Sequence, residues 1–302
     1  MLFKERHNYD IAYFLMQGLH VATGLPVAGL LGKRIVMKFS CSGLVAIMTQ
    51  SLTGRLQLRF LNRWASRVLV LNPGMAQEAK ATGLDPARLG WMPNPVDTNE
   101  FRPCTLEERI RLRRELKISP DTPLVVFVGR LDLQKEVPWL VGAFARVVKE
   151  RPAATLALVG DGPLRGEITE LVRSLGLERN VLFTGRLNTD GVLKWLQAGD
   201  VFTLVSAVEG LPCSLIEAMS AGVAPLVSDI SAHTQLIDHE VHGLLTETGN
   251  QEAISRGLVR LLDDPGLRAR LGAAARLRMI KEYSTSQVSA SYEALFASVL
   301  DS

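Results

Sequence analysis

The sequence predicts an α/β protein made of two units, each a parallel sheet covered by helices. Three observations predict it. Short apolar runs alternate with amphipathic stretches along most of the chain, the pattern of parallel strands joined by helical crossovers. A charged connection with three prolines, residues 101–123, interrupts this alternation once. Beyond it the alternation restarts and runs through five strands, enough for a complete doubly wound unit, whereas the earlier portion offers four and an abrupt start.

The bulk properties agree. A chain of 302 residues can hold two ordinary domains. It is 47% hydrophobic and 22% charged, a common globular mix. A net charge of +3 is too small to argue for a nucleic-acid partner. Cys41, Cys104 and Cys213 are far apart, so neither a metal site nor a disulfide framework is expected. No apolar run is long enough for a membrane span, and residues 1–7 do not read as a signal peptide. A cytoplasmic protein is expected, with peripheral contact at the inner face of the membrane as a further option.

In order, residues 10–15 form an apolar strand, and 19–31 a helix closed by Gly32. Residues 34–39 form a second strand, and 44–64 one long amphipathic helix with Arg55, Arg59 and Arg63 on a single stripe. Such a stripe is ordinarily a solvated face; contact with an anionic membrane surface is the functional alternative. A third strand spans 68–71, a helix opens at Pro73, and a fourth strand spans 89–92. Pro93-Asn94-Pro95-Val96-Asp97 is a turn. After a helix over 106–116, strands follow at 124–128, 155–159, 181–183, 201–205 and 224–227, and residues 265–300 read as helical. Trp139 and Trp195 are expected to pack in cores.

The chemistry concentrates where strands end. The fifth strand runs into Gly129-Arg130-Leu131, with Lys135 close behind. In open α/β sheets ligands bind at the carboxyl ends of strands, and two cations there suit a diphosphate. Gly160-Asp161-Gly162-Pro163 follows the next strand but lacks the Gly-x-Gly-x-x-Gly spacing, which counts against a dinucleotide-dependent dehydrogenase. Glu209 and Glu217 flank Gly210-Leu211-Pro212-Cys213-Ser214 at the start of a helix, where backbone N–H groups and the helix dipole favour an anion. His233, His239 and His242 have no zinc spacing and read as structural.

Together these stretches resemble the retaining glycosyltransferases of family 4, a group built from two Rossmann-like domains of the GT-B type with the donor cleft between them. The resemblance rests on Gly129-Arg130-Leu131 with Lys135, Gly160-Asp161-Gly162-Pro163, Phe183-Thr184-Gly185, Glu209 to Glu217 and the turn at Asn94-Pro95-Val96-Asp97. It implies metal-independent transfer of a sugar, of hexosyl type, from a nucleotide-diphospho-sugar to a hydroxyl acceptor, a glycan or lipid-linked precursor. No cofactor is implied. By the same resemblance Arg130, Lys135 and Glu209 are catalytic: the two cations hold the diphosphate and Glu209 contacts the sugar. Gly129, Gly162, Arg186, Leu187, Gly210, Leu211, Pro212, Cys213, Ser214 and Glu217 bind the donor, Glu217 through its ribose. The implied domains are 1–102, 103–283 and a helix at 284–302 that crosses back to the first.

Three departures qualify that expectation. The opening strand and glycine-rich loop of the family have no counterpart before Asp10, so the first domain is expected to be incomplete, with exposed surface for a partner chain to cover. Lys38 and Ser40 stand where the family often carries an active-site histidine, and are the candidates for the acceptor side. Glu136 also replaces a customary glycine. A truncated or degenerate member that binds a nucleotide sugar, or a partner, without turnover is therefore the competing reading.

Overall fold

The computed structural model describes residues 2–15 and 18–301. Two compact units divide the chain: residues 1–95 with 285–302, and residues 96–284.

The first unit holds four parallel strands, β1 (Ile11–Leu15), β2 (Arg34–Lys38), β3 (Ala65–Val70) and β4 (Leu89–Trp91), in that spatial order. The Thr285–Leu300 helix packs onto this sheet: its Val288 and Val299 join Val36, Leu69 and Met92 in one buried cluster. Each such side chain contributes about 1.5–3 kcal/mol when fully removed from water. Polar groups fix the helix in register. The Tyr13 and Tyr292 hydroxyls lie 3.0 Å apart, and Lys38 Nζ donates to Tyr292 Oη at 2.8 Å.

The single long helix expected over 44–64 is two, Leu44–Met48 and Leu52–Trp64. Ser51 breaks it by capping the second helix, its hydroxyl accepting from Gly54 N at 3.1 Å. The chain folds back so tightly that a Cβ on Gly54 would lie 2.2 Å from Met48 O.

The second unit is a six-stranded parallel sheet. Its strands are β5 (Leu124–Val128), β6 (Thr155–Val159), β7 (Val181–Gly185), β8 (Val201–Leu204), β9 (Ala224–Ser228) and β10 (Leu244–Thr246). The spatial order is β10-β9-β8-β5-β6-β7, so the chain winds outward in both directions from the β5–β8 pair. β5, β6, β8 and β9 are buried throughout, which is why they read as unbroken apolar runs. The three-residue β10 lacks such a run and has no counterpart in the expected strands. The Leu106–Glu115 helix is tied to the sheet through Arg109 and Arg113, which reach the two Asp200 carboxylate oxygens at 2.6 and 2.7 Å.

The tail is not one continuous helix. The Pro265–Arg278 helix widens into a π-helical turn, Met279–Tyr283, and Ser284 is extended before the next helix begins. Trp195 is buried as expected, whereas Trp139 is exposed.

Candidate functional site at the strand switch point

In an open α/β sheet the crevice for a ligand opens where the winding direction reverses, at the carboxyl ends of the central strands. Here that point lies between β5 and β8. The segment after β5 carries Gly129, Arg130 and Lys135; the segment after β8 carries Ser206 to Pro212. They are joined directly, Ala207 N donating to Gln134 O at 2.9 Å. Lys135, on the short 3-10 turn Leu133–Lys135, forms an ion pair with Glu209. Both side chains are largely buried, and Ser206 Oγ donates to the same Glu209 oxygen at 2.7 Å. Glu136 then takes a left-handed conformation, φ 52°, at the start of the Val137–Glu150 helix. The chain thus makes with a glutamate the turn that glycine makes without steric cost.

A pocket of about 520 Å³ opens at the carboxyl ends of β5, β6 and β7, lined in part by Gly129, Arg130, Gly160, Asp161, Arg186 and Leu187; a Cβ on its Gly129 would lie 3.7 Å from Lys135 Cε. The sequence-predicted cation Arg130 is well exposed, its side chain 71% accessible, with Nε 3.8 Å from Asp132. Gly160 and Gly162 are required by the packing of the two loops. A Cβ on Gly160 would lie 1.9 Å from Gly129 O, and one on Gly162 would lie 2.3 Å from Leu131 O. The close approach at Gly160 sets the backbone of Gly129 and Gly160, both of which line the pocket.

On the β8 side, Gly210, Leu211 and Pro212 lead into the Cys213–Ser220 helix. Pro212 is its N-cap, and among the described residues no side chain makes the capping hydrogen bond. A helix N-terminus carries the positive end of the dipole. Cys213 is exposed and Ser214 half-buried in the first turn. Glu217 lies one turn further and is mostly buried. Burial first, and then the charge of Glu100, pushes its carboxyl up to about 7. Glu100 was not among the expected site residues; it is placed by the Asp97 turn, whose carboxylate accepts from Glu100 N at 3.1 Å.

A buried polar line continues behind Glu209. Ser228 Oγ donates to Ser206 O at 2.5 Å, and His233 Nδ1 lies 2.8 Å from Ser228 O. Because a carbonyl only accepts, Nδ1 carries the proton. His233 is fully buried, and among the described residues its Nε2 has no hydrogen-bond partner. Burial, reinforced by the Lys135 charge, holds the ring down to about 4, against the opposing Ser228 hydrogen bond.

Lys38 and Ser40 belong to the other unit. Lys38 is only 5% exposed, and its ammonium donates to Pro93 O, Asn94 Oδ1 and Tyr292 Oη at 3.2, 3.0 and 2.8 Å. With three donors directed at three protein acceptors, Lys38 braces the Thr285–Leu300 helix. Ser40 is half-buried just beyond β2.

Comparison with known proteins places this arrangement. HepE of Anabaena, solved in complex with UDP and glucose, superposes with a TM-score of 0.86 at 21% identity, over 98% of this chain and 80% of that one. A GDP-mannose-dependent monoacylated phosphatidylinositol monomannoside mannosyltransferase of Corynebacterium glutamicum is 32% identical over 200 residues, 64% of this chain and 52% of that protein. The N-acetyl-α-D-glucosaminyl L-malate synthase of Bacillus anthracis is 31% identical over 190 residues, 63% of this chain and 49% of that protein. The chain spans about half the length of these curated relatives. The family model for glycosyl transferases group 1 matches residues 108–278, more than half of the chain and all of the segment that builds the switch-point site; the chain belongs to the group 1 glycosyl transferases.

Proposed function

We propose that this chain transfers a sugar of hexosyl type, with retention and without a metal, from a nucleotide-diphospho-sugar to a hydroxyl of a glycan or lipid-linked acceptor. The observation that carries the reading is the Lys135–Glu209 pair at the β5–β8 switch point, next to a helix N-terminus and a pocket of about 520 Å³. In this reading Lys135 and Arg130 bind the diphosphate and stabilise its charge as the bond to the sugar breaks. The backbone of Gly210 to Ser214 holds the distal phosphate. Glu209 accepts from sugar hydroxyls, and the Lys135 ammonium keeps its carboxylate aimed. Glu217 accepts from the ribose, and Arg186 with Leu187 lies against the base. Nucleotide-dependent relatives and a UDP-bound structural neighbour support the donor class.

The test is a panel of nucleotide sugars, with turnover and thermal stabilisation measured in parallel. One donor should be transferred or hydrolysed, and Arg130→Ala and Lys135→Ala should weaken its binding. Unchanged binding in both variants would sink the phosphate assignment. Stabilisation without turnover of any donor would leave a nucleotide-sugar-binding protein.

A further inference from the structure

The unit of residues 1–95 and 285–302 carries a second recess, of about 530 Å³. Its walls are the ends of the Leu19–Leu30 and Leu52–Trp64 helices, the starts of β2 and β3, and the Pro86–Arg88 turn before β4. It therefore sits at the amino-terminal edge of the sheet, the edge opposite the one where ligands of open α/β sheets bind. Five cations line it, Lys33, Arg34, Arg63, Arg67 and Arg88, against one lining carboxylate, Asp85.

Local partners account for some of these. Lys33 donates to Tyr9 O at 2.6 Å and lies 4.0 Å from Asp10; Arg88 lies 3.5 Å from Asp85. Among the described residues no carboxylate pairs with Arg34, Arg63 or Arg67, and the Arg67 guanidinium reaches only the Ser66 carbonyl, at 2.9 Å. Two helices end here, but each C-terminus offers only about half a negative charge. Among the described residues the recess therefore keeps a positive excess.

That excess continues along one helix face. The Leu52–Trp64 helix contains no Asp or Glu. Leu52, Arg55, Leu56, Arg59 and Arg63 are exposed at helical spacing, so guanidinium groups and bare leucines share one stripe that ends at the recess. Leu52 is 81% exposed, and Leu30, between the recess-lining Gly29 and Gly32, is 80% exposed. A soluble anion would satisfy the arginines but give the leucines nothing. A bilayer surface bearing anionic phospholipid satisfies both, with phosphates on the cations and apolar side chains at the acyl boundary.

We propose that this face docks on an anionic phospholipid bilayer, with a headgroup phosphate in the recess and Leu30, Leu52 and Leu56 in the interfacial layer. The proposal does not depend on the donor assignment. Co-sedimentation of the full chain with phosphatidylcholine vesicles, with and without phosphatidylglycerol, tests it. Retention is expected only on the phosphatidylglycerol vesicles and should be reversed by salt. Arg55→Ala with Arg59→Ala should lower the partition coefficient about twenty-fivefold, at about fivefold per arginine. Leu52→Ser should lower it further. All three sites are exposed, so melting temperatures should stay unchanged. Equal retention on neutral vesicles, or none on anionic ones, overturns the proposal. A second arm titrates inorganic phosphate and glycerol phosphate by calorimetry. Saturable binding that Arg34→Ala abolishes, without vesicle retention, would assign the recess to a free phosphate and overturn bilayer docking. Nucleotide binding by the Arg55, Arg59 and Leu52 variants, measured without vesicles, should match the parent protein; a parallel loss would overturn the assignment of a separate surface.

Discussion

Lys135 and Glu209, 74 residues apart in sequence, meet as a largely buried ion pair where the winding of the larger sheet reverses. The pair joins the two segments from which the donor site is proposed, so it has both a structural and a chemical consequence. Removing one partner strands the other charge where water reaches it poorly. Lys135→Ala should therefore cost about 2–4 kcal/mol of stability, and Lys135→Met with Glu209→Gln should recover much of it. Urea unfolding of the two variants checks this. Equal stability in the single and double variants would show that water already solvates Glu209.

If the proposed donor site is right, Glu217 gives nucleotide binding a pH dependence. Its carboxyl is pushed from 4.5 up to about 7 by burial and then by Glu100. A carboxyl raised on folding contributes stability below its unfolded value and loses it as pH rises through the folded one. Glu217→Gln should therefore gain stability on the parent protein as pH rises from about 4.5 to about 7, and the difference should level off above that. A ribose diol donates more strongly to a carboxylate than to a neutral acid. Nucleotide affinity should accordingly tighten about fivefold from about pH 6 to about pH 8, and Glu217→Gln should flatten the trend. Calorimetric titration across that range decides it; an identical slope in the variant would remove Glu217 from the nucleotide's contacts.

What was legible in the sequence follows physical lines. β5, β6, β8 and β9 are buried on both faces, so hydrophobicity alone marks them. Arg130, Lys135, Glu209 and Glu217 stand at strand and helix ends, where spacing carries meaning, and the switch point brings Lys135 and Glu209 into contact. The helix break at Ser51 was missed because the apolar period runs through it, and only the fold-back onto Met48 reveals it. The bracing role of Lys38 was illegible for the opposite reason: Tyr292, which accepts from it, lies 254 residues away. Glu100 and His233 carry no local signal, because Glu100 acts on a glutamate far along the chain and His233 is shifted chiefly by its burial in the fold.

His233 predicts an acid-sensitive core. Its ring is held down to about 4 from 6.5, chiefly by burial. Between those values the unfolded chain takes up a proton that the folded chain refuses, so stability falls as pH drops through that window. The full effect is up to about 3 kcal/mol. His233→Phe removes the titration, so its stability relative to the parent should improve as pH is lowered from about 7 to about 4. Chemical denaturation at both ends of the range measures this. A difference that does not change with pH would mean the ring charges freely in the folded state.

Glu136 supplies the last prediction, because it sits in a conformation its side chain disfavours. At φ 52° and ψ 32° it is left-handed, immediately after the lysine that pairs with Glu209. A non-glycine residue there costs about 1–2 kcal/mol, partly offset because glycine loses more backbone entropy on folding. Glu136→Gly should thus stabilise the protein by up to about 1 kcal/mol, seen as a melting temperature a few degrees higher. Glu136→Val should do the reverse, since a β-branched side chain tolerates this region least. The turn also aims Lys135, so the glycine variant separates strain from positioning. Unchanged donor affinity with raised stability would mean that the strain is incidental to the site. Weaker affinity with raised stability would mean that the strained turn holds the lysine on its partner.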